Sequence, residues 1–170
     1  MPSCACKLRV HNSLVTPGNH VFIEAAAMGD NQINNVKDAK GSKGLIFVVD
    51  DEPMLLELAA VILEPLGYSV KTFRDPQSAL KSYADAKPRP ALVITDFAMH
   101  RMNGLELLEA CRRLHPEQRI LMISGTVDET IYRNSPSKPD LFIAKPYHAK
   151  QLVQAVRQLI ARKNEKQNGD

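Results

Sequence analysis

From residue 45 onward, apolar residues come in short unbroken blocks separated by stretches with helical spacing. Leu45-Ile46-Phe47-Val48-Val49 runs straight into Asp50-Asp51, as expected of a strand covered on both faces. Pro53 suits the first turn of a helix that the pattern carries to Leu66 and stops at Gly67. Ser69 to Phe73 predicts a second strand, and Asp75-Pro76 opens a helix reaching Ala86. Ala91-Leu92-Val93-Ile94-Thr95 predicts a third buried strand running into Asp96. Leu105, Leu108 and Cys111 set a helix over 104–114, and 119–123 predicts a fourth strand running into Ser124. Leu141-Phe142-Ile143-Ala144 predicts a fifth, followed by Lys145-Pro146. Leu152, Val156, Leu159 and Ile160 mark a last helix over 148–162. Pro136 and Pro139 forbid a full helix between strands four and five, which leaves only 127–134 for one.

Strands that alternate with helices in this way predict an α/β fold with one parallel sheet and right-handed crossovers. A chain of 170 residues, 44% hydrophobic and 24% charged, is long enough for one domain with a proper core. Residues 1–43 lack sustained periodicity and crowd Asn, Gly, Lys and Asp. They are expected to form a disordered extension before a domain over 44–163 and a tail over 164–170. No apolar run approaches the roughly 20 residues a membrane span needs. The net charge of +3 is too weak to argue for nucleic acid. Cys4, Cys6 and Cys111 fit neither a disulfide framework nor zinc spacing. A reducing, cytoplasmic setting is the expectation.

The polar residues at the strand ends change the picture. Asp50, Asp51, Asp96, Ser124 and Lys145 all fall at strand C-termini, which lie along one edge of a parallel sheet. Three carboxylates brought together repel one another and need a counter-charge. A hard divalent cation with oxygen ligands, Mg²⁺, meets that need, and Lys145 adds a charge able to pair with an anion. Singly these residues have blander readings: an Asp-Asp pair usually caps a turn or helix, and a lysine is usually solvated. Their joint placement outweighs those readings. Gly41-Ser42-Lys43-Gly44 precedes the first strand and lacks the full phosphate-loop pattern, so it is set aside.

Over residues 44–163 this order of residues resembles the receiver domain of two-component response regulators. The matching features are Asp50-Asp51, Asp96, Gly104, Ser124-Gly125 and Lys145-Pro146. The resemblance implies a flavodoxin-like, doubly wound, five-stranded parallel sheet of order 2-1-3-4-5 with helices on both faces. It implies that Asp96 takes a phosphoryl group from a phosphohistidine on a histidine kinase or histidine phosphotransfer protein. Asp50, Asp51, Asp96 and the backbone carbonyl of Ala98 would hold Mg²⁺, while Lys145 and Ser124 bind phosphoryl oxygens. Ser124 and Phe142 stand at the family's switch positions, with plain core packing an equal alternative for Phe142. The Lys145-Pro146 peptide is typically cis in this family. Catalysis would be confined to the chain's own phosphorylation and dephosphorylation. Departures accompany the match: His100 stands where proline is common, and His148 replaces the commoner Asp or Ser before the last helix. Ala98 and Thr126, at positions that tune dephosphorylation, offer no carboxylate or carboxamide to orient water.

With few residues after the last helix, a stand-alone receiver is expected, signalling through protein contacts or onward relay. Two other readings compete. One is a phosphorylation-independent receiver-like adaptor, against which the complete acidic set speaks. The other is a phosphatase with Asp96 as nucleophile, for which Ala98 is the wrong residue two positions on. On the first predicted helix, Leu55, Ala59, Ile62 and Leu66 are expected to face the sheet. Met54, Leu58 and Val61 form a second apolar stripe, expected to dock the helical bundle of the phosphate donor.

Overall fold

The computed structural model describes residues 42–125 and 137–167, with side chains to residue 161. Residues 1–41 of the expected extension, Thr126 and the helix expected over 127–134 lie outside the described residues. Five strands, β1 Leu45–Val49, β2 Ser69–Phe73, β3 Leu92–Asp96, β4 Ile120–Ser124 and β5 Leu141–Ala144, pair in parallel in the order β2-β1-β3-β4-β5. This is the order the resemblance implies. The helices are α1 Pro53–Leu63, α2 Pro76–Asp85, α3 Gly104–Leu114 and α4 Ala149–Gln167.

Because strand side chains alternate between faces, each unbroken apolar block feeds two cores. Ile46, Val48, Leu92, Ile94, Leu121, Ile123 and Ile143 pack with Leu56, Ala59 and Leu63 of α1 and Leu152, Val156 and Leu159 of α4. On the other face Phe47, Val49, Val93, Ile120 and Met122 meet Ala79 and Tyr83 of α2 and Leu107, Leu108 and Cys111 of α3. The sheet therefore lies between two helical layers, as its double burial predicts. Strand β2, at the edge, exposes Lys71 and Thr72, and an edge lysine discourages pairing with another chain. Cys111 is a core residue, its thiol pushed up to about 12 by burial.

Several helix ends differ from the pattern's forecast. Helix α1 stops at Leu63 rather than Leu66, because Pro65 has no N–H and its ring would crowd the carbonyl of Val61. The chain tightens there into a 3-10 turn, Glu64–Leu66, and leaves through Gly67 at φ 91°, a conformation glycine adopts without strain. The buried row of α1 is Leu56, Ala59 and Leu63, not Leu55, Ala59, Ile62 and Leu66. Ile62 and Leu66 pack at its border, and Leu55 is half-buried. Leucines at 55, 56 and 58 make this helix apolar around most of its circumference, so spacing alone could not centre the inner face. Helix α4 continues to Gln167, into the segment expected to be a tail. Its first turn is secured by Gln151, whose Oε1 accepts from the His148 N–H at 2.7 Å. No helix among the described residues is long and apolar enough to cross a membrane.

Candidate functional site

Strands β3 and β4 each begin and end one residue later than the pattern forecast, which makes Asp96 and Ser124 the last residues of their strands. Asp96 stands opposite Ile123, and Ser124 opposite Ala144. Asp50 follows β1, its N–H donating to the Phe73 carbonyl at 3.1 Å, and the Lys145 N–H donates to the Ser124 carbonyl at 2.7 Å. Parallel pairing thus carries four residues from distant parts of the chain to one sheet edge.

The side chains meet there. The Lys145 ammonium donates to Asp96 Oδ1 at 2.8 Å and to Asp50 Oδ2 at 3.1 Å. Asp50 and Asp96 are buried, each 6% exposed. Burial pushes the Asp50 carboxyl above its ordinary value, against the opposing pull of the Glu52 N–H and of Lys145. Burial alone would lower Lys145, but its hydrogen bonds to Asp96 and Asp50 outweigh that and hold it above its ordinary value. Lys145 is therefore a fixed cation held between two carboxylates. Lys145-Pro146 is a cis peptide.

The loop after β3 shapes the other side. Asp96 Oδ2 accepts from the Ala98 N–H at 3.0 Å, so the carboxylate is oriented from both ends. The loop folds back on itself, the Gly104 N–H donating to the Phe97 carbonyl at 3.0 Å. A Cβ on Gly104 would sit 2.3 Å from the Asp96 carbonyl oxygen, which is why only glycine fits before α3. Asn103 and Glu106 then close a reciprocal cap, 3.0 and 2.8 Å. Sequence reading missed that pair, though an Asn-x-x-Glu signature stands there. It also missed the partner of His100, whose Nδ1 lies 2.6 Å from Asp51 Oδ2.

Asp50, Asp51 and Asp96 each offer an oxygen, all within 4.8 Å of one another. Three hard oxygen donors against one ammonium leave an excess of negative charge, and this donor set fits Mg²⁺. Ser124 is 1% exposed beside them. Phe142 lies half-buried on the α2–α3 face of the sheet, opposite Met122 in the ladder. Met54, Leu58 and Val61 are 74%, 45% and 70% exposed, so α1 does carry an outward apolar stripe beginning next to the acidic pair.

A family model described as the response regulator receiver domain matches residues 46–157. The nitrogen assimilation regulatory protein NtrX of Azorhizobium caulinodans is 41% identical over 112 residues, which make up 64% of this chain and 24% of that protein. The probable transcriptional regulatory protein TcrX of Mycobacterium tuberculosis is 29% identical over 75% of this chain and 54% of that protein. The chain thus spans between a quarter and about half the length of these relatives. Among solved structures, the response regulator protein TrrA from Thermotoga maritima, in complex with Mg(2+)-BeF, aligns with a TM-score of 0.60 at 29% identity. That alignment covers 68% of this chain and 97% of that one.

Proposed function

The chain belongs to the response regulator receiver domain family, and from that premise we propose that it accepts a phosphoryl group on Asp96 and passes the change on through protein contacts. The observation that carries this reading is the shared Lys145 ammonium, 2.8 Å from Asp96 and 3.1 Å from Asp50, in a cluster completed by Asp51. Asp50, Asp51, Asp96 and the Ala98 carbonyl are the groups that would hold Mg²⁺. When bound, that ion supplies neutralising charge for the oxygens of a transferring phosphoryl group.

Asp96 attacks phosphorus through a carboxylate oxygen. The O–P bond forms as the N–P bond of the donor phosphohistidine breaks, and the departing imidazole keeps the electron pair and takes a proton from water. Lys145 exchanges its contact with Asp96 for one with a phosphoryl oxygen, and the Ser124 hydroxyl donates to another. Displacement of Ser124 then opens space toward which Phe142 turns, altering the β4–β5 surface. The donor is a histidine kinase or histidine phosphotransfer protein, docked on Met54, Leu58 and Val61. The setting is the cytoplasm, and the chain's catalysis acts on itself alone.

Titration of the full chain with beryllofluoride and Mg²⁺, followed by NMR, tests this. Saturable shifts around Asp96, Ser124 and Phe142, lost in Asp96→Asn, are expected. A spectrum indifferent to beryllofluoride would favour a phosphorylation-independent adaptor instead.

A further inference from the structure

We propose that His100 is a nitrogen ligand of the metal site, giving this chain a donor set that favours imidazole-binding divalent ions over Mg²⁺. The inference rests on the acidic cluster being a metal site, as proposed above. His100 Nδ1 lies 2.6 Å from Asp51 Oδ2, and Asp51 is one of three carboxylates whose oxygens gather within 4.8 Å. Two donors on neighbouring vertices of an octahedral ion with bonds of about 2.1 Å stand roughly 3 Å apart. At 2.6 Å the two are hydrogen-bonded, a few tenths of an ångström closer than two ligands of one ion, so a bound ion would take the place of the proton they share.

The backbone turns tightly just after the imidazole. The Met102 N–H donates to the His100 carbonyl at 2.9 Å, closing a three-residue turn with Arg101 at φ 70°. Arg101 is the one non-glycine residue with positive φ among the described residues. Such a conformation persists only where its surroundings enforce it. The His100 side chain is 93% exposed, so little burial energy holds it over Asp51. Its contact with the carboxylate is the specific interaction that places it.

The charges facing Asp51 point the same way. Lys145 is committed to Asp50 and Asp96, while Asp51 is paired with this imidazole. An all-oxygen cluster suits Mg²⁺, whereas an added imidazole suits Co²⁺, Ni²⁺ or Zn²⁺ far better than Mg²⁺. The chain thus carries a nitrogen donor where the receiver pattern commonly places a proline, which has no side-chain donor.

The test titrates the full-length protein with Mg²⁺ and with Co²⁺, in a non-coordinating buffer, for wild type, His100→Ala and Asp51→Ala. The Co²⁺-to-Mg²⁺ affinity ratio should fall at least about tenfold in His100→Ala, the scale on which metal-site groups act. Proton NMR of the Co²⁺-loaded wild type should show strongly shifted imidazole resonances that vanish in His100→Ala. If His100→Ala raises affinity for both ions together, the imidazole competes for Asp51 and the proposal is overturned. An unchanged ratio with no shifted imidazole signal overturns it as well. If neither ion binds wild type in an Asp51-dependent way, the metal-site reading itself fails, which is a distinct result.

Discussion

At the N-terminal end of the sheet, Asp140 accepts from Arg112 at 2.9 Å, from Arg119 at 3.1 Å and from the Ile120 N–H at 2.8 Å. At the C-terminal end, Asp50 and Asp96 converge on Lys145, with Asp51 gathered beside them. The first arrangement surrounds one carboxylate with donors, and it ties the start of β5 to β4 and α3. Arg112 adds a further bond to the Lys138 carbonyl at 2.6 Å. The second crowds carboxylates around too little positive charge and keeps Asp50 above its ordinary value by burial. A saturated cluster holds the fold together. An undersaturated one weakens the fold and is consistent with a ligand supplying the balance.

Four substitutions break or sharpen this contrast. The largest effect is expected for Gly104→Ala, whose Cβ would collide with the Asp96 carbonyl oxygen at 2.3 Å. Moving that backbone should cost about 3 kcal/mol in denaturant unfolding and slow Asp96 phosphorylation. Stability loss without any change at Asp96 would show that the loop relaxes elsewhere. Asp140→Ala should cost about 2 kcal/mol, since it strips two guanidinium groups and the Ile120 N–H of their acceptor. Metal affinity at the far end should not change, and a change would deny that the two ends are independent.

The undersaturated end should respond in the opposite direction. Asp50→Asn removes a buried charge and should raise metal-free stability by about 1 kcal/mol at neutral pH while weakening Mg²⁺ binding. The sign follows from linkage. Because the folded Asp50 carboxyl lies above its ordinary 3.8, its protonation stabilises the fold. That contribution is complete below the unfolded value and is lost as pH rises through the folded one. The advantage of Asp50→Asn should therefore shrink on acidification, and an advantage that grows instead would refute the burial argument. The smallest change in stability, within about 0.5 kcal/mol, is expected for Met54→Lys on the exposed stripe. Transfer from a phosphohistidine donor should slow about tenfold, and labelling by acetyl phosphate much less. Equal slowing of both would mean that α1 shapes the site and not the docking surface.

What could be read from the sequence divides along the same line. The strand blocks and the polar residues at their ends follow from local pattern, while the order of strands in the sheet comes from the family resemblance, and Asp50, Asp96, Ser124 and Lys145 assemble as pattern and order together require. The inner face of α1 did not follow, because Leu55, Leu56 and Leu58 leave several faces apolar and only docking against the sheet and α4 chooses one. The one-residue shift of β3 and β4 depends on hydrogen-bond register, which composition does not encode. Asp140 gave no signal, since its partners Arg112 and Arg119 lie 28 and 21 residues away. The meeting of His100 with Asp51 spans 49 residues and emerges only once two loops share the sheet edge.

The central claim is that the undersaturated end of the sheet accepts a phosphoryl group on Asp96. The most direct measurement is the intact mass of the full chain after incubation with acetyl phosphate, with Mg²⁺ or with EDTA. The account predicts one added phosphoryl group with Mg²⁺, little with EDTA, and none in Asp96→Asn. Equal labelling of Asp96→Asn, or labelling undiminished by EDTA, would contradict it.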